Sequence, residues 1–174
     1  MSEWRGVKVV PYNSEWPIMF EQEKKILQAI LSDLLVEIHH IGSTAIPGIS
    51  AKPVIDILPV VKEIVKVDEM TKEFERYGYE GRGEFGLPGR RYFTKGKSER
   101  THHIHIYERG NPEVIRHLAF RDYMIAHPLE AKAYSELKEK LAKEFANDRD
   151  SYIDGKEEFV KERERRALLW RDSK

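Results

Sequence analysis

A single carboxylate set inside an apolar run narrows the folds open to this chain. In Val54-Ile55-Asp56-Ile57-Leu58, branched residues surround one aspartate, and a β-favouring run of that length reads as a strand. Strand side chains alternate, so Asp56 projects from the same face as Val54 and Leu58. A charge in that position has to offset its desolvation. It does so as a metal ligand or as the partner of a buried cation, and the plainer of these readings is a salt bridge to Lys52 or to an arginine.

The hydrophobic period changes several times around this run. Ser14 is placed to cap a helix in which Met19, Ile26 and Ile30 form one stripe and Phe20, Leu27 and Leu31 an adjacent one. Residues 34–41 and 54–61 read as strands separated by a glycine-bearing loop. Val67, Met70, Phe74 and Tyr77 keep helical spacing and stop at Gly78. Residues 90–94 and 101–107 read as two strands joined by the polar turn KGKSER, with LPGR forming a tight turn before them. From Pro112 the pattern is helical to the end, with Pro112 near a first turn, Pro128 at a break, and Tyr134, Leu137, Leu141 and Phe145 as a stripe. The last helix, from about Asp150, alternates in charge and reads as a solvated face with i to i+4 pairs. The expected fold class is α+β: a small mixed sheet with one crossover, flanking helices and a helical C-terminal half from about residue 112, all in one domain over residues 1–174.

Composition bears on partners. Thirty Lys and Arg balance thirty Asp and Glu, so no excess positive field exists for general nucleic-acid binding. The absence of cysteine removes disulfides, thiolate zinc sites and a cysteine nucleophile together. The start MSEWRGVKVV has too short an apolar run for a signal peptide, and no stretch approaches the length of a membrane span. A cytoplasmic protein without membrane partners is the expectation.

Four groups of residues carry potential chemistry. Gly42-Ser43-Thr44 follows a strand, where glycine allows close approach and hydroxyl and N–H donors can cradle a phosphate; a purely structural turn is the alternative. It is not a Walker A loop, since Lys52 is followed by Pro53. Asp56 suits magnesium, which takes a carboxylate plus substrate phosphates and waters. In Thr101-His102-His103-Ile104-His105-Ile106, parity puts His103 and His105 on one face and His102 with Ile104 and Ile106 on the other. The pair could ligate a metal with Asp56, bind phosphate, or move protons. His39 and His40 point to opposite faces, and alternation weakly favours His40 for the pocket. Among Arg90, Arg91, Lys95 and Lys97, one arginine suits a bidentate grip on phosphate, and the lysines read as solvated at a hairpin tip. Arg116, Arg121 and Asp122 sit on a helix as ion pairs or substrate contacts.

HIGSTAIPGISAKPVIDI, LPGRRYF, THHIHIY, HLAFRDY and AYSELK, taken in this order, resemble the GrpB-like family of small bacterial proteins over nearly the whole chain. That family is similar to the polymerase beta-type nucleotidyltransferases, so the resemblance implies a nucleotidyltransferase-like fold in a cytoplasmic bacterial protein. It implies that Gly42-Ser43 corresponds to the turn that holds a triphosphate and Asp56 to a strand carboxylate that holds magnesium. Active nucleotidyltransferases usually show two acids one position apart, whereas here Val54 and Leu58 flank Asp56 and the third strand presents His103 and His105. The expected site has Gly42, Ser43, Thr44, Lys52, Arg90 and Arg91 on phosphate, Asp56 and His105 on a divalent metal (Mg or Mn), and Asp56, His103 and His105 in catalysis, with Glu84 a distant acid that could complete the metal ligands. Its ligand would be a nucleoside triphosphate or other small phosphorylated molecule. Nucleotidyl transfer, non-catalytic binding of a nucleotide or phospho-metabolite, and metal-dependent hydrolysis by a His/Asp site are the three resulting activities.

Overall fold

The computed structural model describes residues 6–174; the first five residues of the N-terminal stretch read above lie outside it. The chain divides into two compact units, a sheet unit of Ser14–Gly42 and Val54–Val114, and a helical unit of residues 6–13, Ser43–Pro53 and Ile115–Lys174.

In the sheet unit, α1 (Trp16–Leu31) is followed by β1 (Leu35–Ile41), β2 (Ile55–Val61), α2 (Thr71–Arg76), β3 (Tyr79–Gly81), β4 (Arg90–Lys95) and β5 (His102–Glu108). The strands lie in the order β1-β2-β5-β4-β3. The β2–β5 pair is parallel and the other three pairs are antiparallel. The sheet is therefore mixed with one crossover, as the strand runs imply. Three residues of β3 are too few to show a period, and this strand has no counterpart in the sequence reading.

Helix α1 starts two residues after Ser14. Glu15 occupies the cap position without a side-chain hydrogen bond, and proline stands in the first turn, where its fixed φ suits helix entry. Ser14 is thus not the cap. Of the two expected stripes, Phe20, Leu27 and Leu31 are buried together with Trp16, Glu23 and Ile30. Phe20 stacks on His40 at 4.9 Å and 7°, which puts α1 over the sheet face that also carries Ile57 and Ile104. Phe74 of α2 covers the same face, stacked on Phe93 at 4.0 Å. The opposite face carries Asp56, His103, His105, Tyr92 and Arg90, because Asp56 pairs with His103, Tyr92 with His105 and Arg90 with Tyr107.

In the helical unit, most of α3 (Pro112–Ala126), α4 (Pro128–Glu144) and α5 (Arg149–Asp172) pack around two apolar clusters. One holds Ile46, Ile49, Met124, Ala131 and Tyr134; the other holds Ala119, Tyr123 and Ala167. Pro112 and Pro128 open their helices as expected, and Asp148 caps α5 by accepting from the Ser151 amide. The charged face of α5 carries i to i+4 pairs such as Lys161–Glu157 and Arg166–Glu162. No helix among the described residues is long and apolar enough to cross a membrane.

Candidate functional site

Strand β2 is interior to the sheet, and Asp56 stands opposite Ile41 of β1 and His103 of β5. Its side chain is 28% exposed. The Oδ1 atom lies 3.0 Å from His105 Nε2 and 3.6 Å from His103 Nδ1. Burial acts to raise the Asp56 carboxyl, but hydrogen bonding from the His103 and His105 side chains leads the opposing causes, and the group is held far below the usual carboxylate range. Asp56 is therefore an ionised carboxylate, not a shared-proton acid. Its Oδ2 side faces Gly42, which follows β1 with φ +74; a β-carbon built there would stand 2.7 Å from Oδ2 and 3.2 Å from the Asp56 Cβ. Backbone approaches carboxylate here because the residue is glycine.

Arg90 begins β4 and is buried. Its Nη2 donates to the Phe85 carbonyl at 2.9 Å and its Nε to the Glu84 carbonyl at 3.2 Å. The guanidinium lies 4.7 Å from the Tyr92 ring centroid, and Nη1 is 3.4 Å from His105 Nδ1. A guanidinium can only donate, so His105 accepts at Nδ1 and donates from Nε2–H to Asp56. This tautomer is assigned from the network. It makes His105 the residue that orients the carboxylate, with Arg90 behind it. His103 Nε2 is buried with no hydrogen-bond partner, and its ring meets the Tyr92 ring edge-on at 5.6 Å.

Several of the remaining expected residues are held by other partners. Arg91 has the opposite parity to Arg90 and forms a two-point pair with Asp68 at 2.7 and 3.2 Å. His40 lies under Phe20 on the α1 face, so His39, not His40, shares the Asp56 face, where it pairs with Glu37 at 2.9 Å. Glu84 accepts the Gly89 amide at 2.5 Å and is bound into its own turn. Lys95 is not a solvated tip residue: strand alternation turns it to the α1 face, where Nζ reaches Glu23 at 2.7 Å. Arg116 pairs with Glu164 and Arg121 with Asp122, the ion-pair reading in both cases. Ser43, Thr44 and Lys52 belong to the helical unit; Ser43–Ala45 form one turn of 3-10 helix with Thr44 buried, and Lys52 is exposed.

Tyr92 and Phe85, the aromatic residues beside Arg90, are not among the expected site residues. Alternation of Arg90, Tyr92 and Thr94 with Arg91 and Phe93 was the available signal for Tyr92, but the register that matches it to His105 is long-range. Among the described residues, no group of three His, Asp or Glu side chains is arranged to hold a metal. Asp56 alone still fits a divalent cation that takes its other ligands from phosphate and water, because the carboxylate is ionised and its direction is fixed.

Comparison with known proteins gives a consistent likeness. A family model described as GrpB protein matches residues 6–166. UPF0157 protein YqkA of Bacillus subtilis is 45% identical over 167 residues, covering 96% of this chain and 49% of that protein. The chain thus spans about half the length of that relative. Glutamate-rich protein GrpB of Alkalihalophilus pseudofirmus is 35% identical over 161 residues, 90% of this chain and 92% of the relative. The crystal structure of conserved protein GrpB from Enterococcus faecalis superposes with a TM-score of 0.91 at 47% identity, covering 93% of this chain and 98% of that one.

Proposed function

The chain belongs to the GrpB protein family, and on that premise we propose that its sheet unit binds a nucleotide or similar small phosphorylated molecule together with a divalent cation, Mg or Mn. The observation that supports this is Asp56: an ionised carboxylate, partly exposed near the start of an interior strand, with one oxygen oriented by His105 and 3.6 Å from His103 and the other beside the Gly42 backbone. Such a group is suited to carry a cation that is shared with phosphate oxygens. The cation, when bound, supplies neutralisation of phosphate charge. His105 holds the carboxylate in place, and the buried Arg90 guanidinium adds positive charge to the same face.

Binding is favoured over transfer by the ligand inventory. Two-metal phosphoryl chemistry needs protein ligands for both ions, and the described residues offer no three-ligand group. The same fact weighs against a His/Asp hydrolase built around a tightly held transition metal.

Calorimetric titration with each of the four nucleoside triphosphates, in Mg, Mn or a chelator, tests the proposal. Cation-dependent binding is expected, and Asp56→Ala abolishes it while the circular dichroism spectrum is retained. Binding that ignores both the cation and Asp56→Ala refutes the proposal, as does no binding at all. A nucleotidyl group found on an acceptor by mass spectrometry would replace the binding reading with transfer.

A further inference from the structure

An exposed aromatic ring stands on unfavourable backbone beside this site. Phe85 has φ +49, a conformation a bulky L-residue rarely adopts, and it is 59% exposed. Its neighbours Gly83 and Gly86 also have positive φ, at +63 and +87, and a glycine at position 85 would take the same conformation without strain. Burial does not explain the phenyl ring, since most of it faces solvent.

What the ring does have is a fixed connection to the Asp56 site. It stacks on Tyr92 with centroids 5.3 Å apart and planes 24° from parallel. Tyr92 in turn lies 5.2 Å from the His105 ring and 4.7 Å from the Arg90 guanidinium, and His105 is hydrogen-bonded to Asp56 at 3.0 Å. The Phe85 carbonyl accepts from Arg90 Nη2, so the residue that places the ring also helps to hold the cation in position. An aromatic face is thereby linked through Tyr92 to the guanidinium and, through Tyr92 and His105, to the carboxylate.

We infer that Phe85 is a stacking platform for the base of a nucleotide whose phosphates are held at the Asp56 site; this rests on the phosphate-binding reading above. Stacking on an exposed aromatic ring is open to any base, because every base has a π-face. It is closed to a ligand that is only phosphate. Phe85 therefore separates nucleotides from other phosphorylated molecules and narrows the ligand to a base-bearing one.

The test compares a nucleoside triphosphate with inorganic tripolyphosphate, both with Mg, by calorimetry on the full chain. The wild type is expected to bind the nucleotide on the order of tenfold more tightly than tripolyphosphate. Phe85→Gly, which relieves the backbone strain and keeps the fold, is expected to remove that preference by weakening the nucleotide alone, and Phe85→Trp to restore it. Equal affinity for the two ligands in the wild type overturns the inference, and so does a preference that survives Phe85→Gly. Tripolyphosphate binding lost in Asp56→Ala tests the phosphate site separately, so the base platform can fail while that site stands; if neither ligand binds the wild type, both fail.

Discussion

Gly42 and Asp56 approach so closely that a β-carbon on the glycine would lie 2.7 Å from Asp56 Oδ2. The glycine also has φ +74, so any side chain adds backbone strain to the collision. Gly42→Ala is expected to cost about 1 to 3 kcal/mol and to displace the carboxylate that His105 orients. Urea denaturation gives the first quantity and titration of the Mg-dependent ligand the second. A variant with wild-type stability and affinity would show that this close approach is incidental.

The far face of the sheet makes a different demand on stability. Glu23, buried on α1, accepts from the Tyr79 hydroxyl and from Lys95 Nζ, and His102 Nε2 is 3.6 Å away. Burial, followed by the hydrogen bond to Glu23 and its charge, pushes the Tyr79 hydroxyl far above its usual value. Glu23→Ala leaves a lysine and a phenol without their acceptor and is expected to cost about 3 kcal/mol. Tyr79→Phe, which leaves Glu23 paired with Lys95, is expected to cost about 1 kcal/mol. Chemical denaturation that ranks the two the other way would reassign the weight of this cluster.

These two sites differ in how far the sequence reveals them. Strand parity alone groups His103 with His105 and sends His102 to the other side, because a period of two is a local property. The choice between Arg90 and Arg91 is equally local in form, but it is settled by the pairing of Tyr92 with His105, and register between strands is set by distant contacts. Glu23 and Tyr79 are 56 residues apart, so nothing near either announces the pair. Lys95 reads as solvated because the KGKSER turn is polar, yet β4 runs through Lys95 and its last side chain turns inward. Ser14 has the right chemistry for a cap, but the proline in the first turn of α1 moves the start of the helix.

A buried amine gives the helical unit its pH signature. Lys138 on α4 is 2% exposed, its Nζ has no hydrogen-bond partner, and it lies 4.3 Å from the Tyr134 ring centroid. Burial, and after it the charge of Lys156, pushes the amine down to about 7, with Glu139 opposing. The unfolded chain keeps the ordinary lysine value of 10.5. Between pH 7 and 10.5 the unfolded state therefore binds more proton than the folded one, and raising the pH favours folding. Below pH 7 both states are protonated and the penalty is fully present. Lys138→Met is expected to be more stable than the wild type at pH 7, with the gap closing toward pH 9 by up to ~1.4 kcal/mol per pH unit. Urea denaturation of both proteins at a series of pH values measures it; a gap that does not change with pH would mean that Lys138 is not the titrating group.

Arg90 and Arg91 are adjacent in sequence and opposite in consequence. Arg91 pairs with Asp68, whose side chain is 58% exposed, and a pair open to solvent on one side contributes no more than about 1 kcal/mol. It also lies on the face away from Asp56. Arg90 is enclosed by the Glu84 and Phe85 carbonyls, the Tyr92 ring and His105 Nδ1, so its loss removes the donor to the Phe85 carbonyl, leaves the Glu84 carbonyl with the Leu87 amide, and takes from His105 the group that fixes its tautomer. Arg90→Ala is expected to weaken binding of a Mg-bound phosphate ligand by about tenfold, which corresponds to about 1.4 kcal/mol, while Arg91→Ala changes it less than twofold. Arg90→Lys is the informative third variant. It keeps a positive charge but cannot span two carbonyls and an imidazole at once, so affinity close to that of Arg90→Ala assigns the effect to guanidinium geometry, and affinity close to that of the wild type assigns it to charge alone.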